Sequence, residues 1–281
     1  VSGYATLPYF EGFANRDPRL AENFAHPGSS SRSPSFVKYE NDPIKGGYCQ
    51  EKYAANQSDK YTWRYEGRPI YRYAEILLNY AEAKAELGQF GATEAAKSIN
   101  LLRRRVGMPD FDANREVDQT LRNQYPKVND ATILAVRRER RVELACEGFR
   151  LQDIYRWAVG ERFLDTEAQQ GMYLPGFGKF DNSGDGVDDY AIYQKKSDIP
   201  EDWTDKKKYG ISKWYYFDDD LPKEERGDRV TSFTLSEGTK GYLTNVETSA
   251  RLFRSPRDYY RPIPLTQTVL NTNLKQPFGW E

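Results

Sequence analysis

The 281-residue chain carries 41 basic and 42 acidic residues and one histidine, a formal net charge of -1 that supplies no positive field for phosphate backbones or acidic lipid. Hydrophobic residues at 38% allow a sizeable core, yet no apolar run approaches the roughly 20 residues that a membrane-crossing helix needs. With only Cys49 and Cys146, far apart, there is neither a disulfide framework nor a zinc pattern.

Val1 opens the sequence without an initiator methionine, signal segment or lipobox-like cysteine, so a longer natural chain is expected. Residues 1–66 are rich in Gly, Pro, Ser, Asn and Tyr, and Pro8, Pro18, Pro27, Pro34 and Pro43 predict loops. Tyr73, Ile76, Leu77, Tyr80, Lys84 and Leu87 then recur at helical spacing as far as Gly88, which predicts an amphipathic helix over 72–87. A second helix is expected from Thr93 to Gly107, before Pro109, with Ala95, Ile99, Leu102 and Val106 on one face. The short linker makes the two antiparallel, and Ala81, Ala83, Ala85, Ala95 and Ala96 permit the close approach of a tetratricopeptide-like pair.

Asp130 is placed to cap a third helix over 133–147, with Leu134, Val142 and Ala145 as its apolar stripe and Cys146 as a small buried thiol. Gly148 kinks or ends it. A fourth helix carries Leu151, Ile154, Trp157 and Ala158 and stops at Gly160. Residues 171–250 read as loops, short strands and a small helix, and Tyr259–Trp280 as a Pro-bounded extended segment with a turn at 265–270. The fold class expected is mainly α, with tetratricopeptide-like helix pairs, long irregular loops and a few short strands. One domain spans 1–281: a loop-rich front (1–66), a helical scaffold (67–160), then an irregular excursion and closing segment (161–281).

Three groups of residues invite a chemical reading. Glu139, Glu143, Glu147 and Asp153 are interspersed with arginines, and the three-residue spacings of Arg140 with Glu143 and of Asp153 with Arg156 predict helix-surface ion pairs. Arginine beside a carboxylate disfavours the protonated acid that a glycosidase pair requires, and with one histidine (His26) and no nucleophile signature, no catalytic residue is nominated. The segment from Asp181 to Asp189 resembles the front of a calcium loop, with Asp181, Ser183, Asp185, the Val187 carbonyl and Asp189 as oxygen donors. Ile192 stands where an EF-hand places its bidentate Glu, so a metal-free Asx/Gly turn and no cofactor are expected, with calcium as the alternative. Among 21 Tyr, 14 Phe and 5 Trp, those outside the helices suit the apolar faces and hydroxyl edges of sugars: Tyr39, Tyr48, Trp63, Trp203 and Trp214 are the carbohydrate-binding candidates. For each of the five, ordinary packing is the competing role.

Four ordered segments together resemble the SusD/RagB family: Asn15-Arg16-Asp17-Pro18-Arg19-Leu20; the helix from Arg72-Tyr73-Ala74-Glu75 to Ala83; the run from Arg138 to Arg150 continuing through Asp153 to Arg156-Trp157; and Pro262-Ile263-Pro264 with Asn271, Asn273-Leu274 and Gln276-Pro277. The resemblance implies a non-catalytic protein that captures oligosaccharide or polysaccharide at the surface of Bacteroidetes-type bacteria and delivers it to a SusC-like TonB-dependent outer-membrane transporter. It implies a lipid anchor outside this chain as the link to the outer membrane, and additional N-terminal helices in full-length members. A protein or peptide interaction module on the tetratricopeptide-like scaffold is the alternative function. Nucleic acid is not an expected partner.

Overall fold

A computed structural model describes residues 6–26, 48, 50–53, 69–112, 119–164, 170–198, 213–216, 233–245 and 252–280. The chain divides into two compact units, each built from two separate stretches: 1–69 with 168–248, and 70–167 with 249–281. The closing segment therefore joins the helices, and the excursion joins the front.

In the helical unit, helix α2 (Tyr73–Glu86) packs along α6 (Ala131–Glu143) and against α3 (Ala92–Lys97) and α4 (Ile99–Arg105). Its buried stripe is Ala74, Leu77, Leu78, Ala81 and Ala85, which meets Ile99, Leu102, Val136 and Leu144 in one core. This corrects the face expected from sequence: Leu77 is inside, while Tyr73, Ile76, Tyr80 and Leu87 lie on the exposed side. Both rows have helical spacing, but the row rich in alanine lets a neighbouring helix come close, and the row with two tyrosines does not. The same selection leaves Ala83 and Ala96 exposed while Ala81, Ala85 and Ala95 are buried.

The second helix is broken in two at Ser98, whose backbone sits at φ -137° and ψ -95° and whose hydroxyl donates to the Glu94 carbonyl at 2.6 Å. A serine that bonds its own preceding turn competes with the helical ladder. Asp130 caps α6 as expected, accepting from the Thr132 and Ile133 amides at 2.7 and 3.3 Å. The stripe of α6 differs, since Val142 is only half-buried, as is Ala145 beyond the helix end, whereas Arg137, Glu139, Arg140 and Glu143 are buried. Cys146 is half-buried too, in a left-handed turn at φ +64° beyond the helix end.

Helix α5 (Gln119–Gln124), which the sequence does not announce, and α7 (Arg150–Arg156) contribute to a second cluster of Leu121, Tyr125, Leu134, Ile154 and Val159. Leu151 faces outward. Gly160 does not end this helix; it starts α8 (Gly160–Phe163), where a Cβ would overlap the Phe253 ring. The Tyr259 hydroxyl accepts from the Gly160 amide at 2.8 Å and donates to Glu161 at 2.7 Å, so the closing segment is pinned to α8. Farther on, α9 (Leu265–Leu270) is a short helix in place of the expected turn, with no buried residue.

The other unit opens with a 3₁₀ turn at Tyr9–Phe13 and α1 (Arg19–Asn23), short elements within the front read as loops. Among the described residues six strands follow: β1 (Gln170–Leu174), β2 (Gly178–Phe180), β3 (Tyr190–Tyr193), β4 (Lys213–Tyr216), β5 (Phe233–Leu235) and β6 (Gly241–Asn245). They form two three-stranded sheets, β1-β6-β5 and β2-β3-β4, antiparallel except where β3 pairs parallel with β4. Leu174, Ile192, Leu235 and Leu243 close a small core among them. The small helix expected in this region is a 3₁₀ turn at Lys196–Asp198.

Leu77→Ala should cost about 2 to 5 kcal/mol by opening a cavity, whereas Ile76→Ala on the exposed side should cost well under half of that. Urea midpoints measure both, and equal losses would refute the assignment of the two faces.

Candidate functional site

In the first unit the front segment builds an aromatic cluster. Asp17 clamps Arg19, accepting from its amide at 3.0 Å and from its guanidinium at 3.0 and 2.7 Å, which fixes the start of α1. At the other end of α1 the Asn23 carbonyl accepts from the Glu51 and Lys52 amides, and Phe24 forms an antiparallel bridge with Gln50. The segment bearing Tyr48 is thereby held against α1 and the first turn. Its ring lies 5.3 Å from Phe24, 5.8 Å from Tyr9 and 5.9 Å from Phe13, and Phe13 lies 5.6 Å from His26. Tyr9 is buried and donates its hydroxyl to the Ala25 carbonyl at 2.5 Å, which leaves Tyr48, 49% exposed, as the accessible ring of the cluster. Tyr53, 51% exposed and at a positive φ of 61°, follows on the same loop.

Of the five aromatic candidates, Tyr48 is the one whose surroundings are described. Trp214 lies on β4 opposite Ala191, and Tyr39, Trp63 and Trp203 fall outside the described residues. The partners of Tyr48 carry no periodic signal in the sequence, because a loop brings them together and no helix or strand spacing does.

The Asp-rich loop between β2 and β3 is held by its own backbone. The Asp181 carboxylate accepts from the Gly184 and Gly186 amides at 2.6 and 2.8 Å, Asp185 from Val187 at 2.8 Å, and Asp189 from Asn182 and Ser183 at 2.8 Å each. The Asp185 bond is an Asx turn, Asp181 gathers amides further along the loop, and Asp189 reaches back to its start. Gly184 has φ +78°, and a Cβ there would lie 2.7 Å from the Phe10 ring, so the turn requires glycine twice over. Burial, helped by the Asp185 charge, pushes the Asp189 carboxyl above its usual range despite its two backbone donors. Among the described residues no three Asp, Glu, His or Cys side chains gather as a metal-ligand group.

In the helical unit the carboxylates of α6 and α7 face arginines. Arg140, 6% exposed at its side chain, donates to Asp153 at 2.8 and 3.0 Å and to Asn79 of α2 at 2.8 Å. Arg156 binds both oxygens of Glu82 at 2.6 Å and also meets Asp153, while Trp157 Nε1 donates to Glu82 at 2.6 Å. Arg72 bridges Glu143 and Glu147, Arg105 reaches Glu143, and Arg103 pairs with Glu139. Of the pairs expected from spacing, Asp153 with Arg156 forms. Arg140 with Glu143 does not, because each finds a partner on another element. Nor is the network a surface feature, since the side chains of Glu139, Glu143 and Asp153 are at most 6% exposed.

Burial alone pushes the Glu82 carboxyl up, but hydrogen bonds from Arg156 and Trp157, with the charges of Arg156 and Arg140, outweigh it and hold the group below the usual carboxylate range. Burial likewise opposes the charge of Arg72, and its bonds to Glu147 and Glu143 win, leaving it more firmly protonated than usual. Carboxylates held ionised in this way are poorly suited to donate a proton.

The SusD family model matches residues 8–280, nearly the whole chain. The chain belongs to the SusD family. No curated protein matches it. Among solved structures it is similar to a SusD-like protein (BF3747) from Bacteroides fragilis, at 23% identity and a TM-score of 0.51, covering 95% of this chain and 39% of that one. It is also similar to BT4246, at 18% identity and a TM-score of 0.52, covering 100% of this chain and 40% of that one. Both likenesses concern the fold, and the chain spans about two fifths of the length of either structure.

The segments that resemble the SusD family occupy structural positions. Asp17 and Arg19 set α1, Arg72 and the stripe of α2 meet α6, and Arg140, Asp153 and Arg156 join α6 to α7. In the closing segment the Gln276 side chain bonds both the amide and the carbonyl of Ile263 at 2.9 and 2.8 Å.

A carboxylate whose folded pKa is depressed stabilises the fold above its unfolded value and loses that contribution as pH falls through the folded one. The unfolded value for Glu82 is about 4.5. The melting-temperature gap between the native protein and Glu82→Gln should therefore be widest above about pH 5 and narrow toward about pH 3. A gap constant over that range would contradict the ionised, arginine-bound Glu82.

Proposed function

We propose that this chain serves in non-catalytic capture of oligosaccharide or polysaccharide at the cell surface, for delivery to a SusC-like TonB-dependent outer-membrane transporter, with a lipid anchor as the link to the membrane. Membership of the SusD family over residues 8–280 carries this reading. The accessible Tyr48 ring supports it, since a tyrosine offers a flat apolar face and a hydrogen-bonding edge to a sugar. Seating Tyr48 on Tyr9, Phe13 and Phe24 holds the ring still, so little side-chain entropy is lost when a ligand stacks on it. Trp63, Trp203, Trp214 and Tyr39 are proposed as further contacts. The arginine-bound carboxylates support the absence of turnover, because a glycosidase needs one carboxyl kept protonated.

The exposed row Tyr73, Ile76, Tyr80 and Leu87 on α2 favours a second reading, a protein or peptide interaction module. Calorimetry against a glycan panel separates the two. The glycan reading expects saturable binding without accumulation of reducing ends, and Tyr48→Ala should weaken it about three- to tenfold while leaving the melting temperature near that of the native protein. Affinity unchanged in Tyr48→Ala, or lost only on replacing Tyr73 and Tyr80, would defeat the assignment to the Tyr48 cluster.

A further inference from the structure

Helix α2 carries two apolar rows, and its neighbours in the helical unit cover one of them. The other, Tyr73, Ile76, Tyr80, Ala83 and Leu87, is exposed along its whole length: the four large side chains are 70, 55, 37 and 67% exposed, and Ala83 is exposed with them. Intervals of three, four, three and four residues put all five on one side of the helix over about 21 Å. Such alternation is the seam along which a second helix lies at a shallow crossing angle, its side chains entering the gaps between the larger residues and over Ala83. A sugar is a poor occupant. Ile76 and Leu87 offer it no hydrogen-bonding edge, and two polar groups beside them are engaged: Lys84 donates to Gln89 at 2.9 Å, and Glu86 accepts from Arg137 at 3.1 Å.

A second element of the same unit is equally bare. Helix α9 buries none of its six residues, and a helix so short gains too little from its own hydrogen bonds to persist in water without packing. Among the described residues, α2 and α9 thus both lack a cover, and both belong to the unit of residues 70–167 and 249–281. In each of the two similar solved structures about three fifths of the chain lies outside the part that this chain matches, length enough to supply further helices.

We propose that the exposed row of α2 is the seat of an amphipathic helix carried on the same polypeptide beyond these 281 residues, packed along α2 on the side that its present neighbours leave free. This rests on the interaction-module reading of the row and names its partner. Glycan capture at Tyr48 stands or falls separately.

The test places a photo-crosslinking benzoylphenylalanine in place of Tyr80 in the complete product of this gene and maps the cross-linked peptides by mass spectrometry. The expected product is a cross-link within one molecule, to a segment outside the 281 residues whose apolar residues recur at three- and four-residue spacing. A cross-link to a second copy, seen as a doubled mass, overturns the proposal and leaves the row an interaction surface. No cross-link, or one within the 281 residues, overturns both. A gene product that ends with these 281 residues overturns the proposal as well. Ile76→Glu supplies an independent readout: the 281-residue chain should melt within about 2 °C of its native temperature, whereas the complete product should lose about 5 °C or more, because there the added charge is buried. Equal shifts in the two proteins would refute the seat.

Discussion

Taking a carboxylate out of water costs several kcal/mol unless a cation and further hydrogen bonds meet it, and α6 and α7 bury Glu139, Glu143 and Asp153 together. That cost dictates how the helices of this unit are arranged. Glu143 needs Arg72 at the start of α2 and Arg105 at the end of α4, Asp153 needs Arg140 of α6, and Glu82 of α2 needs Arg156 and Trp157 at the end of α7. Each pairing ties two different helices in one register, so sliding any helix by a turn would strand a charge. The apolar contacts of Leu77, Leu78, Ala81 and Ala85 supply cohesion without such directionality.

This explains which parts of the fold are legible in the sequence. The existence of α2, α6 and α7 follows from their spacing and from the Asp130 cap, which depend on local chemistry. The buried face of α6 does not. Arg137, Glu139, Arg140 and Glu143 read as a solvated surface until their partners, 13 to 71 residues away in the chain, are brought alongside. On α2 two apolar rows compete, and the choice between them depends on which one α6 can approach, a tertiary fact. Ser98 breaks its helix through a single hydroxyl bond that leaves the apolar spacing intact.

The candidate site divides in the same manner. The residue types that suit a sugar are visible in the composition, but Tyr48 becomes a distinct platform only through Asn23 and Phe24, which receive its loop. Exposed rings on irregular segments have no period to betray them. In the Asp181–Asp189 loop the Asp and Gly spacing is local, and the carboxylates of Asp181 and Asp185 accept from backbone amides of the same loop. In the helical unit the carboxylates that would tempt an enzymatic reading are the ones that meet arginines of neighbouring helices.

These buried pairs hold the helices in register. Arg140 and Asp153, both nearly inaccessible, provide the most direct measurement through a double-mutant cycle read by denaturant midpoints. Arg140→Met and Asp153→Leu should each cost about 3 kcal/mol, because each removes a buried partner that Arg156 on one side and Asn79 on the other replace only in part, and the double variant should recover a large part of that loss. Single variants within about 0.5 kcal/mol of the native protein, or a double variant whose loss is the sum of the two, would contradict the account.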